Sequence, residues 1–225
     1  EPDVGVLADL CGAGPVGMIT LAPESDGASG LIVEACSRGL LVSLGHTAAD
    51  ADTCRAAADI GARSITHCWN AHRRFGHRDP GPAGWAMDDP RCTVGLIADG
   101  VHVAPEVLAL TFSAARGRVA LTTDAIAPAG TDVDRWRDVR VDGGAARLGD
   151  GTLAGSVATP SDMLRVLGDA GVAFEDAVDA MHRPQAEALG LAPWSLRPGD
   201  PANVVVLADD FEVRSAWRSG EPLGC

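Results

Sequence analysis

Three histidines and an aspartate fall where short apolar runs end. His46 and His67 close two successive runs, His102 follows a later one and Asp124 closes the next, at separations of 21, 35 and 22 residues. A separation of 21 or 22 residues is about the length of one loop, one helix and one strand. In a parallel β/α barrel every strand points its C-terminal end at the same mouth, so these four groups would converge there. Three imidazoles and a carboxylate are the materials for holding a divalent metal and moving a proton. A single histidine at a strand end is more often a hydrogen-bonded cap than a ligand, but four such residues in register point to a metal or acid–base site.

The elements that must position these groups are legible as a repeat. Apolar runs at residues 16–21, 40–44, 64–67, 92–97 and 119–122 are bounded by turn signals and rich in leucine or β-branched residues. They predict buried parallel strands. Between them, residues 26–38, 48–60 and 105–115 have helical character; the second is alanine-rich, with Asp50 near its start and Gly61 at its end. Residues 80–90 read as a long Gly/Pro loop. Repetition of strand, loop and helix means a doubly wound sheet or a (β/α) barrel. Beyond Asp124 the pattern changes: Asp142-Gly143 and Asp150-Gly151 signal hairpins, and helices are predicted over 161–171 and 174–189. Residues 203–207 and 213–218 read as an antiparallel pair.

Composition narrows the partners. The 225 residues are 46% apolar, enough for one sizeable core, and the net charge of −13 excludes a nucleic-acid or anionic-membrane surface as the main partner. No apolar run approaches the roughly 20 residues that cross a bilayer, and residues 1–10 have no basic stretch leading into an apolar one. A cytoplasmic protein is expected. Cys11, Cys36, Cys54, Cys68, Cys92 and Cys225 are scattered without a C-x-x-C pair, so reduced thiols are expected. All eighteen cations are arginine, which closes off Schiff-base, P-loop and carbamyl-lysine chemistry.

The local sequences around these positions resemble those of the N-acetylglucosamine-6-phosphate deacetylases of the amidohydrolase superfamily. The segments are, in order, Gly45-His46-Thr47, Thr66-His67-Cys68-Trp69-Asn70-Ala71, Asp99-Gly100-Val101-His102-Val103, Thr122-Thr123-Asp124-Ala125 and Leu153-Ala154-Gly155-Ser156. Thr20-Leu21-Ala22-Pro23-Glu24 and Pro198-Gly199-Asp200-Pro201-Ala202-Asn203 fit the same family. The resemblance implies an α/β fold: a partial (β/α)8 TIM barrel of the metal-dependent hydrolase type over residues 1–195, followed by C-terminal strands of a small β-domain over 196–225. It implies hydrolysis of N-acetyl-D-glucosamine 6-phosphate to D-glucosamine 6-phosphate and acetate. His46 and His67 match metal ligands for one or two divalent ions, zinc or another transition metal, and Asp124 matches the general base and acid. His102 matches the histidine that contacts the substrate and helps polarise the acetamide carbonyl, Asn70, Ala71 and Arg78 match positions that hold the sugar phosphate, and Ala158, Thr159 and Pro160 match a substrate-contacting turn. An arginine fork also suits a phosphate on physical grounds. A small-molecule sugar phosphate is therefore the expected partner, with a homodimer as the oligomer to look for.

Three departures from the family pattern bear on these expectations. His72 stands where the family usually has methionine or another apolar residue and Pro160 where it has methionine, and His72 and His77 read as loop residues, His77 with a phosphate contact to test. The family also carries a metal-binding glutamate in a Glu-Gly-Pro segment that has no counterpart here, since Glu1 lacks that context and Glu24 lies in a different turn. The resemblance thus implies a chain without three barrel strands and one ligand, and little activity from these residues alone. The rival readings are a catalytically defective remnant or sugar-phosphate-binding module, and another amidohydrolase such as a cyclic-amide hydrolase or deaminase.

Overall fold

The computed structural model describes residues 2–193 and 195–224; Glu1 and Cys225, about which the sequence raised expectations, lie outside them. The chain runs α1 (Val4–Ala13), β1 (Met18–Leu21), α2 (Ala28–Ser37), β2 (Leu41–Leu44), α3 (Ala51–Asp59), β3 (Ser64–Ile65), α4 (Gly81–Asp88), β4 (Thr93–Leu96), α5 (Pro105–Ala114) and β5 (Val119–Leu121). These five strands form one parallel sheet in the order β1-β2-β3-β4-β5. Sequential order without a reversal separates the two architectures the sequence left open. A doubly wound sheet reverses at a switch point, whereas a barrel adds each strand beside the last. The array is of the (β/α)8-barrel type.

Its core lies between the sheet and the helices. Val42, Leu44, Ile65, Val94 and Leu96 are fully buried against small residues such as Ala35, Cys54, Ala57 and Ala58 and the larger Ile32, Trp85 and Leu108. Small helical residues let each helix approach the sheet closely. The helices start where capping chemistry places them: the Asp50 carboxylate accepts from the Thr53 N–H at 2.8 Å, and α5 opens on Pro105, which needs no N–H partner.

Residues 80–90 are not the loop predicted from their glycines and prolines but the helix α4. Pro82 sits in its first turn, where a missing N–H costs nothing, and Ala83, Trp85 and Ala86 form its buried face. The Trp85 Nε1–H donates to Asp89 at 3.1 Å. Burial of the tryptophan outweighs the poor helix propensity of the segment.

After β5 come β6 (Arg135–Trp136), β7 (Val139–Asp142), β8 (Ala145–Arg147) and β9 (Leu153–Ser156), a four-stranded antiparallel sheet. The β7–β8 turn is built on Gly143 and Gly144, both at positive φ, which suits the twist of a two-residue hairpin. Then follow α6 (Pro160–Asp169), α7 (Phe174–Ala180) and α8 (Arg183–Ala188). The single helix predicted over 174–189 is broken at Met181–His182. Pro184 cannot donate to the Ala180 carbonyl and would clash with it in a continuous helix. The Gln185 side-chain amide takes that carbonyl instead, at 2.7 Å, and also reaches Leu121 O of β5 at 2.9 Å. The tail strands β10 (Val204–Leu207), β11 (Val213–Arg218) and β12 (Glu221–Leu223) form a separate antiparallel sheet. It docks through Phe211 stacked on Phe174 and through Arg165 Nε–H donating to Asp210 O. Helix α1 and strands β6 and β12 were not foreseen; α1 buries only Leu7, so it carries no apolar period.

Among the described residues no helix is long and apolar enough to cross a membrane, and Cys11, Cys36, Cys54, Cys68 and Cys92 are free thiols. Burial pushes the Cys54 and Cys68 thiols up to about 12, which keeps them protonated and inert.

Candidate active site

The C-terminal ends of β2, β3, β4 and β5 deliver the four groups that the spacing singled out. His46, His67 and Asp124 each adopt positive φ, at 50°, 30° and 48°. That region is uncommon for residues other than glycine, so each strand end turns sharply where it presents its side chain. The exposed His46 and buried His67 face each other with their Nε2 atoms 3.0 Å apart. His67 Nδ1 lies 3.1 Å from the Asn70 carbonyl, so that nitrogen donates and Nε2 is left with a lone pair in the neutral ring. Gly95 of β4 lets this loop lie close: an added Cβ would sit 2.7 Å from Ile65 O and 3.2 Å from His67 N. Beneath the pair, the hydroxyls of Thr20 and Ser43 both meet that of Thr66, at 3.0 and 2.6 Å.

His72 was read as a loop residue, and it is one, but it stands beside the pair. Its ring centroid is 5.7 Å from that of His67. Nε2 donates to Thr66 O at 2.8 Å, which leaves Nδ1 a lone pair, enclosed and without a partner. Burial holds its pKa below the usual imidazole value, so the ring is neutral near pH of about 7. His77 is exposed. Glu24 does not join the histidines; it accepts from the Thr47 hydroxyl and from the Ala48 N–H at 2.7 Å, tying the β1 loop to the β2 loop. Burial works against its charge, but those hydrogen bonds prevail and hold its pKa below the ordinary carboxylate value.

His102 lies over β4 with its Nδ1 2.6 Å from Asp99 Oδ2. Asp99 also accepts from the Ser156 hydroxyl at 2.8 Å and from the Val101 and His102 N–H groups. Burial opposes its ionisation, yet these bonds bring its pKa down to about 2. Ser156 pairs its backbone with the Asp124 segment: its N–H donates to Asp124 O at 2.9 Å and its carbonyl accepts from Ile126 N at 3.0 Å. His102 and Asp124 are thus parts of one bonded cluster, and the Asp124 side chain is exposed at the mouth. Asp99 and Ser156 lie within the Asp99–Val103 and Leu153–Ser156 segments, and the i, i+3 spacing of Asp99 and His102 is the sequence signal for the pair.

The residues expected to contact the sugar and its phosphate are distributed less compactly. Ala71 has φ of 55°, Asn70 Nδ2 reaches back to Cys68 O, and Arg78 is exposed, with no ion pair holding it among the described residues. Its neighbour Arg73 pairs with Asp79 instead. Thr159 caps α6 in a reciprocal box with Asp162, Pro160 takes the first helical position, and Ala158 N–H donates to Ser156 Oγ at 3.1 Å.

The chemistry of the donor set fits a divalent ion. Two imidazole nitrogens each about 2.0–2.1 Å from one ion stand roughly 3 Å apart, which is the spacing of His46 and His67. Among the described residues no three His, Cys, Asp or Glu side chains gather to enclose one. The structure therefore presents two imidazoles suited to ligation and not a complete shell.

Fold and site together define a segment of a (β/α)8-type barrel with two histidines and an aspartate at its strand ends. No family model matches the chain. It is 35% identical over 211 residues to an N-acetylgalactosamine-6-phosphate deacetylase of Escherichia coli O157:H7, covering 91% of this chain and 56% of that protein. It is 37% identical over 219 residues to the N-acetylglucosamine-6-phosphate deacetylase of Homo sapiens, covering 92% and 54%. The solved structure of the N-acetyl-D-glucosamine-6-phosphate deacetylase of Mycobacterium smegmatis, as an aspartate-to-alanine mutant in complex with N-acetyl-D-glucosamine-6-phosphate, superposes with a TM-score of 0.92 at 37% identity, over 99% of this chain and 62% of that one. Over nearly its whole length the chain is homologous to one part of the N-acetylglucosamine-6-phosphate deacetylases, and it spans about half the length of the curated relatives it matches.

Proposed function

We propose that the chain carries the chemistry of a metal-dependent deacetylase that hydrolyses N-acetyl-D-glucosamine 6-phosphate to D-glucosamine 6-phosphate and acetate. The observation that carries the reading is the His46–His67 pair, two Nε2 atoms 3.0 Å apart at strand ends that also deliver Asp124. His46 and His67 would hold a divalent ion, zinc or another transition metal. When bound, the ion would polarise the acetamide carbonyl and make the attacking water more acidic. Asp124 takes the proton of that water and returns it to the leaving nitrogen, a role worth on the order of 10²- to 10⁴-fold in rate. His102 orients the acetamide, and Asn70, Ala71 and Arg78 receive the phosphate, with Ala158, Thr159 and Pro160 lining the sugar. We also propose a boundary near residue 195, with 196–225 forming part of a small β-domain, and a homodimer in the cytoplasm.

One relative is named for the galacto epimer of the sugar, so that compound belongs in the assay beside the gluco form. The names of the relatives count against a cyclic-amide hydrolase or deaminase. The test measures metal content and acetate release. His46→Ala and His67→Ala are expected to lower metal occupancy. Asp124→Asn is expected to keep the metal and lose turnover, because an amide still hydrogen-bonds but carries no proton. Full metal content in both histidine variants, or an Asp124→Asn protein keeping more than about a tenth of kcat, would overturn the assignment, given the ~10²-fold minimum expected of an acid–base group.

A further inference from the structure

The Asp99 carboxylate is the most fully engaged acid beside the site, and the proposed chemistry gives it no task. Its side chain is 1% exposed and that of His102 is 6% exposed. Oδ1 accepts from the Val101 N–H at 2.9 Å and the His102 N–H at 2.8 Å; Oδ2 accepts from His102 Nδ1 at 2.6 Å and Ser156 Oγ at 2.8 Å. Four donors saturate the carboxylate, so no lone pair is left to reach a ligand and Asp99 can act only through its partners.

The two backbone bonds fix the carboxylate, and the carboxylate in turn fixes the ring. A nitrogen facing a carboxylate oxygen at 2.6 Å must carry its proton, so the neutral His102 ring holds a lone pair at Nε2. Without that bond the imidazole could flip about its last torsion and exchange the two nitrogens. Ser156 extends the unit. Its hydroxyl completes Asp99 while its own N–H and C=O grip Asp124 O and Ile126 N, on either side of the parallel bridge from Ala125 to Ser156. One buried serine therefore touches the support of the histidine and the strained backbone of the aspartate, whose φ is 48°.

We propose that Asp99 and Ser156 form one positioning unit that sets the tautomer of His102 and ties its placement to that of Asp124. Its effect on turnover rests on the deacetylase reading, while its effect on the tautomer does not. The experiment is two-bond ¹⁵N–¹H correlation NMR of the 225-residue chain, with the nitrogen shifts of His102 read as a function of pH. The neutral ring is expected as a single Nδ1–H tautomer in the parent chain and in Ser156→Ala, and as a mixture or the Nε2–H form in Asp99→Asn. In the active protein, both variants are expected to lose roughly 10- to 100-fold in kcat, the usual cost of removing an outer hydrogen-bond partner of a site histidine, with KM changed less. An Nε2–H tautomer in the parent chain would overturn the proposal whether or not any substrate is turned over. So would variants that shift only the thermal midpoint and keep parental kcat, because a merely structural contact behaves that way. If Asp99→Asn fails to fold, the parent tautomer and the Ser156→Ala kcat still decide the matter. Absence of deacetylase activity when these residues are supplied with the missing barrel strands and third ligand would instead defeat the deacetylase reading and leave the tautomer measurement on the 225-residue chain standing.

Discussion

His46, His67 and Asp124 share a backbone conformation that their side chains disfavour, at a cost of order 1–3 kcal/mol each. Such strain persists only where the surroundings over-determine it, and here strand pairing on one side and helix packing on the other do so. Arg78 is the opposite case, an exposed cation free of ion pairs among the described residues in a chain of net charge −13. Arg78→Ala is expected to reduce kcat/KM for the 6-phosphate sugar roughly ten- to hundredfold more than for the unphosphorylated sugar, because only the former offers a dianion to the guanidinium. Equal losses would make the arginine structural. Asp99 gives a pH dependence whose sign is fixed: its folded pKa of about 2 lies below the ordinary 3.8, so the unfolded chain binds the extra proton first. Its contribution, on the order of 2 kcal/mol, is full above the unfolded value and is lost as pH falls through the folded one. Asp99→Asn is therefore expected to flatten the fall in urea midpoint between pH of about 4 and about 2. The spacing singled out four residues that the structure places at or after strand ends, two of which, His46 and His67, come into contact. It could not reveal that Asp99 and Ser156 lock His102, because a buried hydrogen-bond network leaves no periodic trace.

At the scale of elements, β9 crosses the Asp124 segment only because residue 155 lacks a side chain. A Cβ on Gly155 would lie 2.8 Å from Asp124 O and 2.8 Å from Ile126 Cγ2, and its φ of 104° is closed to L-residues. Gly155→Ala is expected to cost about 1–3 kcal/mol of stability, read from the urea midpoint, and to lower kcat by displacing Asp124. Retention of both would show that β9 only covers the site. The five core strands were legible because they are short apolar runs bounded by turn signals, and one such as 40–44 is buried along most of its length and needs no alternation. Helix α4 was not, since Pro80, Gly81, Pro82 and Gly84 speak for a loop and only the tertiary burial of Trp85 decides otherwise. The break between α7 and α8 was half legible: Pro184 announces it, but the compensation by Gln185 requires the fold.

For the whole molecule, two forces act on the open sheet. β1 pairs only with β2 among the described residues, so its other side presents backbone N–H and C=O groups without a strand partner. Such an edge is a template for association. Val6, Leu10 and Met18, at 55%, 55% and 47% exposure, add apolar surface in the same part of the chain. At the far side of the sheet the edge is partly covered, because α8 supplies the Gln185 amide to Leu121 O of β5. Against association stands the net charge of −13, whose mutual repulsion reaches about 10 Å at ~0.1 M salt and about 3 Å at ~1 M. The balance should therefore tip with ionic strength. The 225-residue chain is expected to be larger than its 23.0 kDa monomer in light scattering coupled to size exclusion, and to grow as salt rises. Met18 and Thr20 are the β1 residues whose backbone groups point away from β2, since Gly17 and Leu21 carbonyls accept from Leu41 and Gly45. Met18→Lys places a charge on that open edge and is expected to shift the population towards monomer. A monomer at every salt concentration would show that the β1 edge is protected by means other than strand pairing, with α1 the first element to test.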